Sequence, residues 1–190
     1  MRVIAGLAKG MVLTPPKGQH TRPTADRMKE DLFNIISEQV KGAVFLDLYC
    51  GSAAIGIEAL SRGAKSAVFV DFSAKALAAA GENLRKTRLE DQAKLLAMPV
   101  LSALELLARE LPCGGKAFDI IFIDPPYDSG ELTPSLEFIS QSCLLNKNGI
   151  VVAECRAEYN LPDFSDLVIY KKKKYAQTQF AFFKEQKRHE

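Results

Sequence analysis

Val44-Phe45-Leu46-Asp47-Leu48-Tyr49-Cys50-Gly51-Ser52-Ala53-Ala54-Ile55-Gly56 is the stretch that decides the architecture of the chain. A short apolar strand, Val44 to Leu46, runs into a glycine-bearing turn. Residues 54–60 then carry helical spacing until Gly63 stops it. The same rhythm repeats downstream. Apolar strands are expected over 67–70, 93–97, 118–123 and 150–153. Between them, Ser73 can cap a helix with Leu77, Ala80 and Leu84 in register. Leu101, Leu104, Leu107 and Leu111 mark a second helix closed by Pro112, and 136–145 a third. Alternating strands and amphipathic helices mean βαβ units, an α/β fold and a parallel sheet covered on both faces. The end differs: strands at 167–170 and 180–183 have no helix between them, so they pair as an antiparallel hairpin across Lys171 to Tyr175.

Working outward, residues 2–13 read as two short strands around a glycine turn, ended by Pro15-Pro16. Thr24 can cap a helix running to about Gln39, with Met28, Leu32, Ile35 and Ile36 on one face. The expected division is therefore a hairpin-and-helix extension over 1–42 and a main domain over 43–190. Across 190 residues, 47% are hydrophobic and 25% charged, which excludes a wholly disordered chain. With 12 Gly and 9 Pro, a collagen-like or low-complexity chain is excluded as well. No apolar run approaches the roughly 20 residues that span a bilayer, and the N-terminus lacks a signal-peptide core, so a cytoplasmic protein is expected. Cys50, Cys113, Cys143 and Cys155 are scattered and there are two His, which argues against disulfides and metal. The expectation is four buried or half-buried thiols. Six basic residues and one acid lie between Met1 and Lys29, and seven basic and two acidic between Lys171 and Glu190, around an acidic middle. Basic ends on an acidic body point to a polyanion partner, most simply nucleic acid.

Two stretches carry chemistry. In the first, Gly51 suits a tight turn where backbone approaches a ligand, and Asp71, twenty residues on, can accept from both hydroxyls of a ribose. An adenosine-containing cofactor is the natural reading. Gly51-x-Ala53-x-x-Gly56 is a dinucleotide fingerprint with Ala for its middle glycine, and a pyrophosphate needs that glycine. S-adenosylmethionine has no phosphate; its charged amino-acid end wants a carboxylate, and Asp47 stands at the strand end.

In the second, Phe118-Asp119-Ile120-Ile121-Phe122-Ile123 runs straight into Asp124-Pro125-Pro126-Tyr127. Two prolines stiffen the chain and remove two donors. An acceptor-rich surface is left, the Asp124 carboxylate and the Pro125 carbonyl, beside the aromatic face of Tyr127. That suits a planar base with an exocyclic amine: two acceptors take the two N–H hydrogens and the ring stacks on Tyr127.

These residues resemble a known family. Asp124-Pro125-Pro126-Tyr127 looks like the motif of the S-adenosylmethionine-dependent amino-group methyltransferases. Thr21-Arg22-Pro23-Thr24-Ala25-Asp26-Arg27, followed by Leu32-Phe33-Asn34-Ile35, is similar to the N-terminal signature of the RsmD-like 16S rRNA guanine-N2 methyltransferases. Residues 45–48 and 57–64 resemble it too, and the likeness runs to Tyr175. It implies the Rossmann-like class I methyltransferase fold: a seven-stranded, mostly parallel sheet with an antiparallel last strand. It also implies methyl transfer to the N2 amine of one guanosine in 16S rRNA of the small ribosomal subunit or an assembly intermediate, by a monomer without metal. By the same resemblance Asp124, Pro125, Pro126 and Tyr127 are catalytic. Asp47, Tyr49, Gly51, Ser52, Asp71, Phe72 and Met98 hold the cofactor. Lys17, Arg22, Thr24, Arg27 and Lys29 hold RNA. The chain departs from the family at Ala53, where Gly is usual, and at Met98-Pro99, where Asp or Asn is usual near the adenine amine.

Three alternatives are weighed: an adenine-N6 methyltransferase on DNA or RNA, a catalytically impaired rRNA-binding relic, and a nicotinamide oxidoreductase. The last shares Gly51 and Asp71 but leaves Asp124 to Tyr127 unexplained.

Overall fold

The computed structural model describes residues 1–15, 23–110 and 118–186. They form two compact units, Met1–Pro99 and Val100–Glu190. Lys17, Arg22 and Cys113 lie outside the described residues, as does the side chain of Thr24. Among the described residues no helix is long and apolar enough to cross a membrane, and no cluster of His, Cys, Asp or Glu is placed to hold a metal ion.

The first unit contains α1 (Pro23–Ile35), α2 (Ser37–Val40), β1 (Val44–Leu48), α3 (Ala54–Ser61), β2 (Ser66–Asp71), α4 (Ala74–Thr87) and β3 (Ala93–Ala97). Its strands are parallel in the order β3-β2-β1, with Asp47 opposite Phe69 and Asp71 opposite Ala97. Phe45, Leu46, Phe69 and Val70 are fully buried between the helices, as strands covered on both faces require. Ser73 caps α4 by accepting from the Ala76 N–H. The helix expected to reach Gln39 breaks at Ile36, where φ −100 and ψ 13 interrupt the run.

The second unit contains α5 (Val100–Glu110), β4 (Phe118–Ile123), α6 (Leu132–Gln141), β5 (Leu145–Arg156), β6 (Leu167–Lys174) and β7 (Thr178–Glu185). Its strands, in the order β4-β5-β7-β6, complete a total of seven: β4 and β5 are parallel, while β7 runs antiparallel to both β5 and β6. The α/β class with an antiparallel last strand is thus as expected. Two local readings differ. The helix expected at 136–145 lies earlier, because the Ser142 hydroxyl donates to the Ile139 carbonyl and accepts from the Leu144 N–H. The apolar Leu144 and Leu145 prolonged the periodicity without belonging to it. Lys171 to Lys174 are strand rather than turn, all exposed, and the turn is closed by the Tyr175 N–H on the Thr178 carbonyl at 2.7 Å.

The expected boundary after residue 42 is not where the units divide. The opening segment, closed by a single bridge between Arg2 and Val12, is tied into the first unit by buried polar side chains. Glu58, wholly buried on α3, accepts from the Ile4 and Ala5 N–H groups at 2.8 and 3.0 Å and from Arg62 Nε at 2.7 Å. Lys29 of α1 sits 3.3 Å from its other oxygen and donates to the Arg2 carbonyl at 2.6 Å. Ser61 accepts from the Ala8 N–H and donates to the Ala5 carbonyl. Gly6 (φ +82) passes so close that a Cβ would fall 1.7 Å from the Ser61 carbonyl oxygen.

Removing Glu58 leaves the Lys29 charge and two N–H groups buried without their partner. Glu58→Ala is expected to cost about 3 kcal/mol or more, read as a lowered midpoint in urea unfolding. An unchanged midpoint would mean that the segment is not held this way.

Candidate active site

The turn after β1 winds through left-handed backbone three times, at Tyr49 (φ 60), Gly51 (φ 54) and Ala53 (φ 64). It is held by the ends of its own strands. Asp71 accepts from the Gly51 N–H at 3.0 Å and from the Ser73 N–H at 2.8 Å. Asp47 accepts from the Gly56 N–H at 2.9 Å. Both acids are buried. Asn83 of α4 donates to the Ser52 carbonyl and pairs with both backbone groups of Thr14, so the opening segment also leans on this loop.

The sequence-expected cofactor residues therefore gather at the carboxyl ends of β1, β2 and β3. Tyr49 is half-buried, Ser52 is buried, Phe72 is 68% exposed beside Asp71, and Met98 follows β3 half-buried. Space over Gly51 is open: a Cβ built there meets nothing within 4 Å. Gly56 has a different reason. A Cβ there would strike the Phe69 ring at 2.2 Å, so this glycine serves helix-on-strand packing. The Ala53 methyl is completely covered by protein. Its cost falls on the backbone, not on a ligand.

In the second unit, β4 delivers Asp124, half-buried, then Pro125, buried, and Pro126 and Tyr127, exposed. Tyr127 Oη shares a 2.7 Å hydrogen bond with Thr178 Oγ1 of β7 and lies 3.5 Å from Glu154 Oε1 of β5. The Arg156 guanidinium lies 5.1 Å over the Tyr127 ring and reaches both oxygens of Asp128 at 3.1 Å. One face of the ring is thus already covered by a cation. The cavity beside it, lined by Pro125, Tyr127, Glu154 and Tyr159 among others, is about 20 Å³, room for about one water.

Burial raises the Asp124 carboxyl well above the ordinary range. Glu154 is raised too, by burial first and then by the charge of Asp124. Burial also raises the Tyr127 phenol, which stays neutral. Cys155 is pushed up to about 11 by burial and Cys50 is raised beyond that, so neither is a ready thiolate. Cys143 is exposed, against the expectation of four covered thiols.

The basic residues fare unevenly. Arg27 is exposed on α1. Lys29, expected to face phosphate, is instead buried against Glu58, and burial lowers its ammonium below the usual range. Glu58, Asn83, Glu154, Arg156 and Thr178 were not singled out from sequence. Each is a polar residue inside an otherwise apolar or ordinary-looking element. Only the Glu58 position among Ile57, Ala59 and Leu60 gave a signal, as an acid in an apolar run.

A family described as "Conserved hypothetical protein 95" matches residues 1–184. The "Putative rRNA methyltransferase YlbH" of Bacillus subtilis (strain 168) is 38% identical over 185 residues, covering 97% of this chain and 98% of that protein. The "Ribosomal RNA small subunit methyltransferase D" of Escherichia coli (strain K12) is 30% identical over 162 residues, covering 85% and 78%. The solved "Putative methyltransferase yhhF" of Escherichia coli superposes with a TM-score of 0.84 at 26% identity over 99% of each chain.

Two outcomes follow from this geometry. Ala53→Gly relieves a left-handed alanine, worth about 1–2 kcal/mol, and gives up a buried methyl and some chain entropy of about the same total, so it is expected to stay within about 0.5 kcal/mol of the parent. Urea unfolding reads it; a loss above about 1 kcal/mol, as for a buried methyl removed without relief, would contradict the backbone argument. For Glu154 the folded-state value lies above the unfolded one, so its contribution is fully present below the unfolded value and is lost as pH rises through the raised one. Glu154→Gln is therefore expected to match the parent melting temperature near pH 4 and to exceed it near pH 9 by about 2 °C or more. A constant difference across pH would contradict a raised carboxyl.

Proposed function

The chain belongs to the family described as conserved hypothetical protein 95, and we propose that, as a member, it transfers a methyl group from S-adenosylmethionine to the exocyclic N2 amine of a guanosine in small-subunit ribosomal RNA. One observation carries this reading: β4 ends in a half-buried carboxylate, two prolines and an exposed aromatic ring. That set orients an amine and does little else. The relatives named as rRNA methyltransferases support the polymer and the reaction.

The residues of the first unit fit the cofactor. Open space over Gly51 admits a ligand against backbone, Phe72 offers an exposed ring to a purine, and each oxygen of Asp71 keeps a second lone pair for a ribose hydroxyl. Asp47 stands beneath the turn to answer a positive charge, directly or through water. When bound, S-adenosylmethionine supplies a methyl group on a positively charged sulfur that departs as a neutral thioether. No metal is needed.

The chain's part is alignment and proton handling. Asp124 and the Pro125 carbonyl accept the two N–H hydrogens of the amine, which turns the nitrogen lone pair outward and opposes its delocalisation into the ring. Asp124 then takes the surplus proton of the methylated amine. Tyr127, neutral and pinned by Thr178, supports the base on the face that Arg156 leaves free. The base is flipped out of its helix to present its amine to this strand end. Arg27 and the exposed Lys171–Lys174 row meet phosphate.

Purified protein, methyl-labelled S-adenosylmethionine and small ribosomal subunits lacking the modification test this, with naked 16S rRNA and duplex DNA as other acceptors. Label is expected in the subunits and to fall about 100-fold or more with Asp124→Ala, while cofactor affinity stays unchanged. Affinity for RNA is expected to fall steeply with salt. Label in DNA alone, or full activity of Asp124→Ala, would overturn the reading.

A further inference from the structure

Among the described residues β6 is an edge strand, and its pairing with β7 slips by one residue between Ile169 and Lys171. Lys171 lies opposite Phe182 and Lys173 opposite Phe180, while Lys172 meets Ala181 and Lys174 meets Gln179. Residues directly opposite share a face of the sheet, so the lysine row divides. Lys171 and Lys173 stand on the face of Phe180 and Phe182, Lys172 and Lys174 on the other. The extra residue at the bulge is Tyr170. It joins the first face, its ring 6.2 Å from that of Phe182. In an unbroken strand Tyr170 and Lys171 would point to opposite faces.

Three more residues belong to this face. Lys184 of β7 holds its ammonium 5.9 Å over the Tyr170 ring. Near the hairpin turn, Tyr175 stands edge-on to Phe180 at 5.8 Å, with Lys173 5.8 Å over its ring. Thr178, two residues before Phe180, shares its hydrogen bond with Tyr127 Oη at 2.7 Å. The face thus leads from Tyr127 to Lys184, about 20 Å along β7. Phe180 and Phe182 are buried, Tyr175 is half-buried, and Tyr170 and the lysines are exposed. Each tyrosine is braced by a buried phenylalanine and carries a flexible cation near the outer limit of contact with its ring. Protection of a sheet edge needs charge alone. Rings interleaved with cations suit a strand of nucleic acid, where every base has a face to stack and every phosphate a charge.

We propose that this face of the β6–β7 hairpin binds single-stranded RNA beside the flipped guanosine: Tyr170 and Tyr175 stack its bases, and Lys171, Lys173 and Lys184 take its phosphates. This rests on the reading that Tyr127 supports a base of RNA. Lys173 and Lys184 turn off the rings on their flexible stems, which leaves the ring faces to bases. The bases are unpaired ones, because a duplex hides their faces. Flipping the guanosine unstacks its neighbours, so the event that fills the Tyr127 site also supplies strand to the strip. Lys172 and Lys174 face away from it.

Fluorescence anisotropy of the full-length protein with a labelled single-stranded RNA of mixed sequence, about 12 nucleotides long, tests this; the duplex of the same sequence is the second probe. Two double variants remove equal charge from one exposed strand. Lys171→Ala with Lys173→Ala is expected to weaken single-strand binding about fivefold or more beyond Lys172→Ala with Lys174→Ala. It is also expected to reduce the slope of log affinity against log salt by about 1.4. Tyr170→Leu and Tyr175→Leu keep an apolar cover on the phenylalanines. Each is expected to cost about fivefold or more in affinity and to leave the salt slope in place. The single strand is expected to bind more tightly than the duplex.

Equal losses from the two lysine pairs, tyrosine variants that bind like the parent, or a duplex bound as tightly would each overturn the proposal. If a tyrosine variant fails to fold, the lysine pairs decide. Unchanged binding of the oligonucleotide by the Lys171 and Lys173 variant, with weakened binding to small subunits, would overturn it in favour of an acidic protein partner. A parent protein that binds the strand as described yet methylates no subunit sinks the function proposed above and leaves this surface standing.

Discussion

An acid at the carboxyl end of a parallel strand can answer the unpaired N–H groups of the loop that follows, and the strand ends of this protein use that in two ways. Asp47 and Asp71 do so with the backbone of the turn after β1, at Gly56, Gly51 and Ser73. The turn is thereby fixed in a left-handed path that no ordinary sequence would hold unaided. Asp124 faces the opposite situation. Pro125 and Pro126 have no N–H to give, so neither answers the carboxylate, and burial raises it. At β1 and β2 the carboxylates are tied to backbone; after β4 the next two residues have no N–H to offer.

The same contrast separates structure from chemistry among the charged residues. Glu58 is as buried as any residue in the first unit, but four donors surround it, and its role is to fasten α1 and the opening segment to α3. Glu154 is less buried and poorly compensated, with a phenol at 3.5 Å and another acid beside it. A compensated acid stabilises; an uncompensated one costs stability. Lys29 illustrates the reverse error, a surface-looking base that belongs to the interior.

Much of this was legible from residues alone. Strand and helix alternation gave the α/β class, and the Asp124 to Tyr127 run announced itself because two prolines after a buried strand have few other uses. The helix end near Ser142 was misplaced because Leu144 and Leu145 fit both a helical face and a buried strand start, and only the hydroxyl of Ser142 decides between them. The Lys171–Lys174 row falls in the stretch the hairpin was expected to cross, because the apolar residues that mark the strand stop at Tyr170, whereas on β6 it faces solvent as part of the strand. Glu154 was invisible because its partner lies on another strand: pairing register, not sequence spacing, brings it to Asp124. The hold of Glu58 on residues 4 and 5 is likewise a contact across more than fifty positions.

The central claim is that the carboxylate after β4 directs a methyl group onto a guanine amine. Nucleoside digestion and mass spectrometry of small subunits treated with the protein and labelled S-adenosylmethionine test it most directly. The account predicts the label in N2-methylguanosine and none with Asp124→Ala. Label in N6-methyladenosine, or N2-methylguanosine formed equally well by Asp124→Ala, would contradict it.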